Sequence, residues 1–235
     1  MRSWNPARLS AMHHRHLELG AVVVESDGWQ MPARYASVNQ ELERLRRAVG
    51  ICDISPAGKL SLQGSELDSA LNAAFPDVEA PVIGAVSRQR LSGEDGQGSV
   101  LLARLASNEV LVLTDPNQAP GIVTALGERV ARCAHVVDIS SALAGVRVTG
   151  PSAPRLLSSV TGLDLTPDTF PSMGCGQGRF AEIHSVVLRL DLSGLLSYEL
   201  YFGREFGEYM WDALIEAGEE YSVTPFGIEA MARLE

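Results

Sequence analysis

Hydrophobic positions along the chain switch repeatedly between a spacing of three or four and a spacing of two. In "SVNQELERLRRAVG" (residues 37–50), Val38, Leu42, Leu45 and Val49 form one apolar stripe, which predicts an amphipathic helix. Ser37 followed by Gln40 is a capping-box pair, and Gly50 supplies a stop. Residues 6–19 put Leu9, Met12, His16 and Leu19 on one helical face, with Gly20 ending it ahead of the strand-like "AVVVE". Strand alternation then sets Leu60 and Leu62 on one side of "GKLSLQG", and "SELDSALNAAF" returns to helical spacing. "SVLLARL" and "EVLVLT", joined by Ala106-Ser107-Asn108, predict a β-hairpin. "NQAPGIVTALGERVARC" predicts a helix, "HVVDIS" and "GVRVTG" strands, and "PSAPRLLSSV" a helix with Pro151 and Pro154 near its entry, where a missing N–H costs least. Paired strands in "GRFAEIHSVVLRLDLSG" and "LSYELYFG" follow. A helix over "EFGEYMWDALIEAG", stopped by Gly218, leads to a last helix begun by "PFGIEAMARLE".

Helices and strands mix without a steady strand-helix-strand rhythm, so the expected class is α+β, two mixed subdomains with antiparallel sheets. A soft boundary near residue 140 divides residues 1–140 from 141–235.

Composition narrows the function classes. With 46% hydrophobic and 20% charged residues over 235 positions, the chain buries a substantial core. The formal charge of −10 argues against a nucleic-acid partner, whose phosphates demand an excess of Lys and Arg. Arg44, Arg46 and Arg47 read as a wet helix face. Cys52, Cys133 and Cys175 are widely spaced and odd in number, which suits neither a disulfide framework nor a zinc knuckle and fits a reduced, cytoplasmic setting. No apolar run approaches the length of a membrane span.

Candidate chemistry is sparse. His13, His14 and His16 crowd the opening segment, but only His13 and His16 approach the spacing that lets two ligands share a helix face, so packed or partly exposed histidines are the favoured reading over a metal. "GCGQG" (residues 174–178) precedes strand-like residues, not a helix, which makes it a turn into a strand and not a phosphate cradle. No nucleophile elbow, P-loop or His-Glu-x-x-His is present.

Taken in order, "MHHRHLELGAVVVESDGWQMPARY", "LRRAVGICDISPAGKLSLQG", "VRVTGPSA", "LSYELYF", "MWDALIEAG" and "VTPFGIEAMARL" resemble the folate-binding domain of the glycine-cleavage T-protein (aminomethyltransferase), in the version at the C-terminal part of the sarcosine oxidase α subunit and in dimethylglycine dehydrogenase. The resemblance implies two α+β subdomains around a tetrahydrofolate site. It also implies a one-carbon transferase that moves a unit from an amine to tetrahydrofolate. On this resemblance the family's C-terminal barrel is expected to be missing, since "GIEAMARLE" stops where the helix leading to it begins. "GWQMP" stands at the place of the family's Gly-Trp-x-x-Pro turn.

Carried over residue by residue, the resemblance places Arg88 at a pocket tyrosine and Leu195 at a pterin-contacting glutamate. Asn117, Tyr198, Glu199 and Met231 complete the expected cofactor-binding set, with no catalytic residue assigned. Ser99 or Val100 stands where the family's acid is sought, and Ala57 where it has a methionine. Asp53 and Glu94 are substitutes for the lost acids, with a turn or cap the favoured role for each. Leu195 removes two acceptors from a site whose ligand presents donors, and each donor left unpaired on burial costs roughly 1–3 kcal/mol. Weak tetrahydrofolate binding is therefore expected. The implied partners are a folate or a small amine-derived substrate and, on the alternative reading, a flavin amine oxidase on which the chain packs as a non-catalytic subunit. The family's iron–sulfur maintenance branch carries a Lys-Gly-Cys-Tyr-x-Gly-Gln-Glu type motif that is absent here.

Overall fold

The structure is a computed structural model and describes residues 7–76, 79–91 and 98–234; Glu94 lies outside the described residues. The chain opens with β1 (Arg8–Leu9), α1 (His13–Glu18), β2 (Val22–Ser26), β3 (Trp29–Arg34), α2 (Val38–Arg47), β4 (Gly50–Asp53), β5 (Gly58–Gln63) and α3 (Leu67–Ala74). It continues through β6 (Val86–Leu91), β7 (Gly98–Ala106), β8 (Glu109–Thr114), α4 (Ala119–Val130) and β9 (His135–Asp138). The rest is β10 (Leu143–Thr149), α5 (Ala153–Ser158), β11 (Cys175–Phe180), β12 (Ile183–Arg189), β13 (Ser197–Gly203), α6 (Gly207–Gly218), β14 (Thr224–Pro225) and α7 (Ile228–Met231).

Two large sheets dominate, ordered β11-β12-β13-β10-β4-β14 and β6-β7-β8-β5-β9, beside a small sheet β1-β3-β2. Pairing is antiparallel except at β1/β3 and β14/β4. The α+β class with antiparallel sheets holds, and no closed barrel occurs among the described residues. The strand period of two sorts side chains between layers. On the six-stranded sheet, Val146, Val148, Leu200 and Phe202 face α5 and α6, where Trp211 and Leu214 cover them. On the five-stranded sheet, Leu60, Leu62, Leu102 and Val112 face α3 and α4. The opposite faces of the two sheets meet through Ala103, Leu111 and Leu113 on one side and Leu188 and Tyr201 on the other. The result is a helix–sheet–sheet–helix stack.

Local chemistry explains most boundaries. Ser37 accepts from the Gln40 backbone N–H at 3.4 Å and Gln40 accepts from the Ser37 N–H at 3.2 Å, so α2 starts at its capping box. Leu45 and Val49 of its stripe are fully buried, while Arg44, Arg46 and Arg47 stay exposed. Gly50 does not merely end this helix; it begins β4, the strand that inserts beside β10 with Cys52 opposite Arg147.

Three elements differ from the sequence expectation. The first helix is shorter than residues 6–19, because Arg8 and Leu9 pair in parallel with Trp29 and Gln30. "WQMPAR" is a strand beyond a tight turn at Asp27 and Gly28 (φ 52° and 76°). Pro32 is tolerated in β3 because β1 reaches only Trp29 and Gln30, so no ladder bond is demanded of the missing N–H. "CGQG" is itself part of β11: a Cβ on Gly178 would lie 2.7 Å from Leu163 Cδ1, so its glycine lets the 161–166 segment lie directly on the strand.

Candidate functional site: a cavity between the two sheets

Next to the apolar cluster that joins the sheets lies a cavity of about 870 Å³, lined by residues of both, within the size range of small-molecule sites. The six-stranded sheet contributes Cys52, Arg147, Glu199 and Tyr201, and the five-stranded sheet contributes Arg88, Leu101 and Leu113. Met31 of β3 and Met231 of α7 also line it, and Asp27 and Asp115 stand at its edge.

The polar centre of this wall is a cross-strand pair. Arg147 on β10 lies directly opposite Glu199 on β13, and both side chains are nearly buried, at 10% and 4% exposure. Arg147 donates to Glu199 Oε1 in a close ion pair, while the Tyr201 hydroxyl donates to Oε2 at 2.7 Å. Burial, reinforced by that carboxylate, drives the Tyr201 pKa well above its ordinary value and keeps the hydroxyl a donor. Arg147 Nη1 also reaches Met231 Sδ at 3.3 Å.

Asp53, which also lines the cavity, forms a second polar node. His16 Nε2 meets Asp53 Oδ2 at 3.0 Å with both side chains fully buried. The Tyr35 hydroxyl meets His16 Nδ1 at 2.8 Å, and Trp211 sits edge-on to the imidazole at 4.8 Å between ring centres. Asp53 Oδ1 accepts from the Ser55 backbone N–H at 2.8 Å, fixing the turn that presents Pro56 and Ala57 to the cavity. Burial pushes the Asp53 pKa up, but hydrogen bonding to His16 and the proximity of its charge, with help from Ser10 and Ser55, bring it below the ordinary carboxylate value.

Lys59, one turn further on, is wholly buried and donates from Nζ to Ser55 O at 2.7 Å. Burial lowers its pKa to about 8 against the opposing pull of Asp53 and Asp138. An unfolded lysine titrates near 10.4, so between these values the folded chain binds fewer protons and the stability attributable to Lys59 rises with pH. The unfolding free energy of wild type minus that of Lys59→Met is expected to grow by up to about 3 kcal/mol between pH 7.5 and 10.5 in urea titrations. A difference that stays flat contradicts this.

The residues singled out from sequence fall into two groups. Arg88, Glu199 and Met231 lie together on the cavity wall. Asn117, Leu195 and Tyr198 do not line it. Asn117 (φ 65°) donates from Nδ2 to Asp27 O at 2.9 Å and so anchors the β2–β3 turn at the rim. Leu195 packs into an apolar cluster with Leu45, Phe226 and Leu234, behind Cys52 and Met231. Tyr198 points to the helical side of its sheet, fully buried, and its hydroxyl donates to Leu165 O at 2.7 Å. Ser99 lines the cavity, and so does Asp191, whose carboxylate is held by Arg189 at 2.7 and 3.0 Å.

His13 and His16 do not converge on a common ligand position: His16 faces Asp53, and His13 packs edge-on against His14 at 6.0 Å between ring centres. Arg147, Tyr35 and Glu41 carry structure around the site that sequence reasoning missed, whereas His16, read there as a packed histidine, is fully buried. Glu41, buried on α2, accepts from the backbone N–H groups of Tyr35, Ala36 and Gly227 at 2.6, 3.0 and 3.1 Å, fixing the entry to α7 and hence Met231. Its partners lie 186 positions apart from it at the extreme, and no local pattern signals such a contact.

The GCVT N-terminal domain family profile matches residues 12–235. The chain belongs to that family. It is 27% identical over 255 residues to the sarcosine oxidase subunit alpha of Rhizobium meliloti (strain 1021), covering 98% of this chain and 25% of that one. It is 30% identical over 225 residues to the aminomethyltransferase of Streptomyces coelicolor, covering 94% of this chain and 60% of that one. This GCVT N-terminal domain thus spans less than two thirds of the curated relatives it matches. Among solved structures, the glycine cleavage system aminomethyltransferase T from Bartonella henselae superimposes with a TM-score of 0.83 at 21% identity, over 97% of this chain and 61% of that one. A chain of the heterotetrameric sarcosine oxidase from Corynebacterium sp. U-96 gives 0.65 at 22% identity, over 92% of this chain and 96% of that one. At these identities the two likenesses establish the fold. No helix among the described residues is long and apolar enough to cross a membrane.

Proposed function

We propose that the cavity between the sheets receives a reduced folate, weakly, and that the chain serves one-carbon transfer from an amine in a degenerate form of the aminomethyltransferase reaction. The observation that carries this reading is the buried Glu199 carboxylate on the wall of an 870 Å³ slot, in a chain whose relatives include aminomethyltransferases. A flat pterin ring presents amino and ring N–H donors, and a buried carboxylate is the acceptor such donors require. Both Glu199 oxygens are already engaged, by Arg147 and by Tyr201, so an incoming donor must compete for them. Titration calorimetry with 5-formyltetrahydrofolate is expected to give a Kd above about 100 μM, weaker than about −5.5 kcal/mol; low-micromolar binding contradicts the weakness.

A second reading is favoured by one observation. The matched chain of the heterotetrameric sarcosine oxidase is covered over 96% of its length, so a chain of this extent occurs as a component of a larger enzyme. On this reading the protein packs against a flavin amine oxidase. Val22 and Val24, exposed at 46% and 39% on the edge strand β2, offer apolar surface to such a partner. Co-expression with a flavin amine oxidase subunit from the same organism would then yield one sedimenting complex; two separate species argue against it.

A further inference from the structure

We infer that Arg147 is an internal occupant of the ligand subsite: its guanidinium fills the position on Glu199 that a planar N–H-bearing ligand would take. The inference rests on the folate reading only for the identity of that ligand. A guanidinium is a rigid planar fork of N–H donors matched to a carboxylate. The 2-amino-pyrimidinone edge of a pterin is also planar and offers adjacent N–H donors. Both therefore compete for the same acceptor. Strand register places Arg147 and Glu199 face to face, both point into the cavity, and Tyr201 holds the second carboxylate oxygen at 2.7 Å. A ligand that needs Glu199 must first displace a buried, paired charge, and separating such a pair is strongly unfavourable. Arg147 is thus a specificity-determining residue that sets the chain's affinity for amidine-like ligands from within.

Arg147→Ala opens this position to the cavity, where water hydrates the released carboxylate and Tyr201 still donates to it. Methylguanidinium and 5-formyltetrahydrofolate are titrated separately into wild type, Arg147→Ala and the double variant Arg147→Ala/Glu199→Gln. Arg147→Ala is expected to bind methylguanidinium at least about tenfold tighter than either of the others, with a similar gain for the folate. A methylguanidinium gain without a folate gain supports the internal occupant and overturns the folate reading. A folded Arg147→Ala with no methylguanidinium gain overturns the inference. Arg147→Met, which keeps the packing of the arginine stem and removes only its N–H donors, decides the matter if Arg147→Ala does not fold: a several-fold gain for methylguanidinium over wild type supports the inference, and unchanged or weaker binding overturns it.

Discussion

Asp53→Ala is expected to lower the free energy of unfolding by about 3 kcal/mol, because two buried groups, the His16 imidazole and the Ser55 N–H, each lose their acceptor at roughly 1–3 kcal/mol apiece. The carboxylate joins three elements: it accepts from His16 on α1, from the Ser55 N–H at the cavity turn, and it belongs to β4 within the six-stranded sheet. Its removal leaves the imidazole and an N–H group buried without their acceptor. The loss carries a pH signature. Because the folded pKa of Asp53 lies below the unfolded value, about 3.9, its contribution is complete above that value and is lost as pH falls through the folded pKa. The stability gap between wild type and Asp53→Ala should be widest at pH 7 and shrink below about pH 4. Urea unfolding at both pH values checks it, and a gap under about 1 kcal/mol at pH 7 contradicts the role given to the node.

Gly150→Ala is expected to destabilise the chain by about 3 kcal/mol or more, with strain at a glycine-only backbone conformation supplying 1–3 of that. Gly150 has φ +133°, and a Cβ there would lie 2.4 Å from Ala48 O and 2.9 Å from both Leu45 O and Val49 Cα. Every one of these is a backbone atom, so no side chain can swing away. The position is a clip between halves of the chain: Gly150 N–H donates to Leu196 O at 2.9 Å and Ser152 N–H to Ala48 O at 3.1 Å. Thermal unfolding of the variant measures the loss, and a melting temperature within a degree or two of wild type contradicts it.

Sequence patterning revealed what local rules determine. The capping box of α2, the β7–β8 hairpin and the alternation of Leu60 and Leu62 all follow from contacts within a few positions, and the ordered motifs pointed to the family. Elements set by distant partners stayed hidden. β3 was obscured by Pro32 and by a partner strand of two residues, and the glycines of β11 looked like a turn because the segment that packs on them was out of sight. Glu199 was reached through the family resemblance, but the arginine opposite it was not, because Arg147 reads as one polar position in an alternating strand until register pairs the two. The His16–Asp53 contact spans 37 positions, beyond any helical or strand period.

The central claim, a ligand site between the two sheets, is tested most directly by methyl NMR of the protein labelled at methionine. Met31, Met173 and Met231 line the cavity, whereas Met12 and Met210, the latter on α6, are fully buried in the core on the helical side of the six-stranded sheet. Addition of 5-formyltetrahydrofolate at millimolar concentration should shift the first three resonances and leave the last two in place. Cavity methionines that do not move, or shifts confined to Met12 and Met210, would contradict the account.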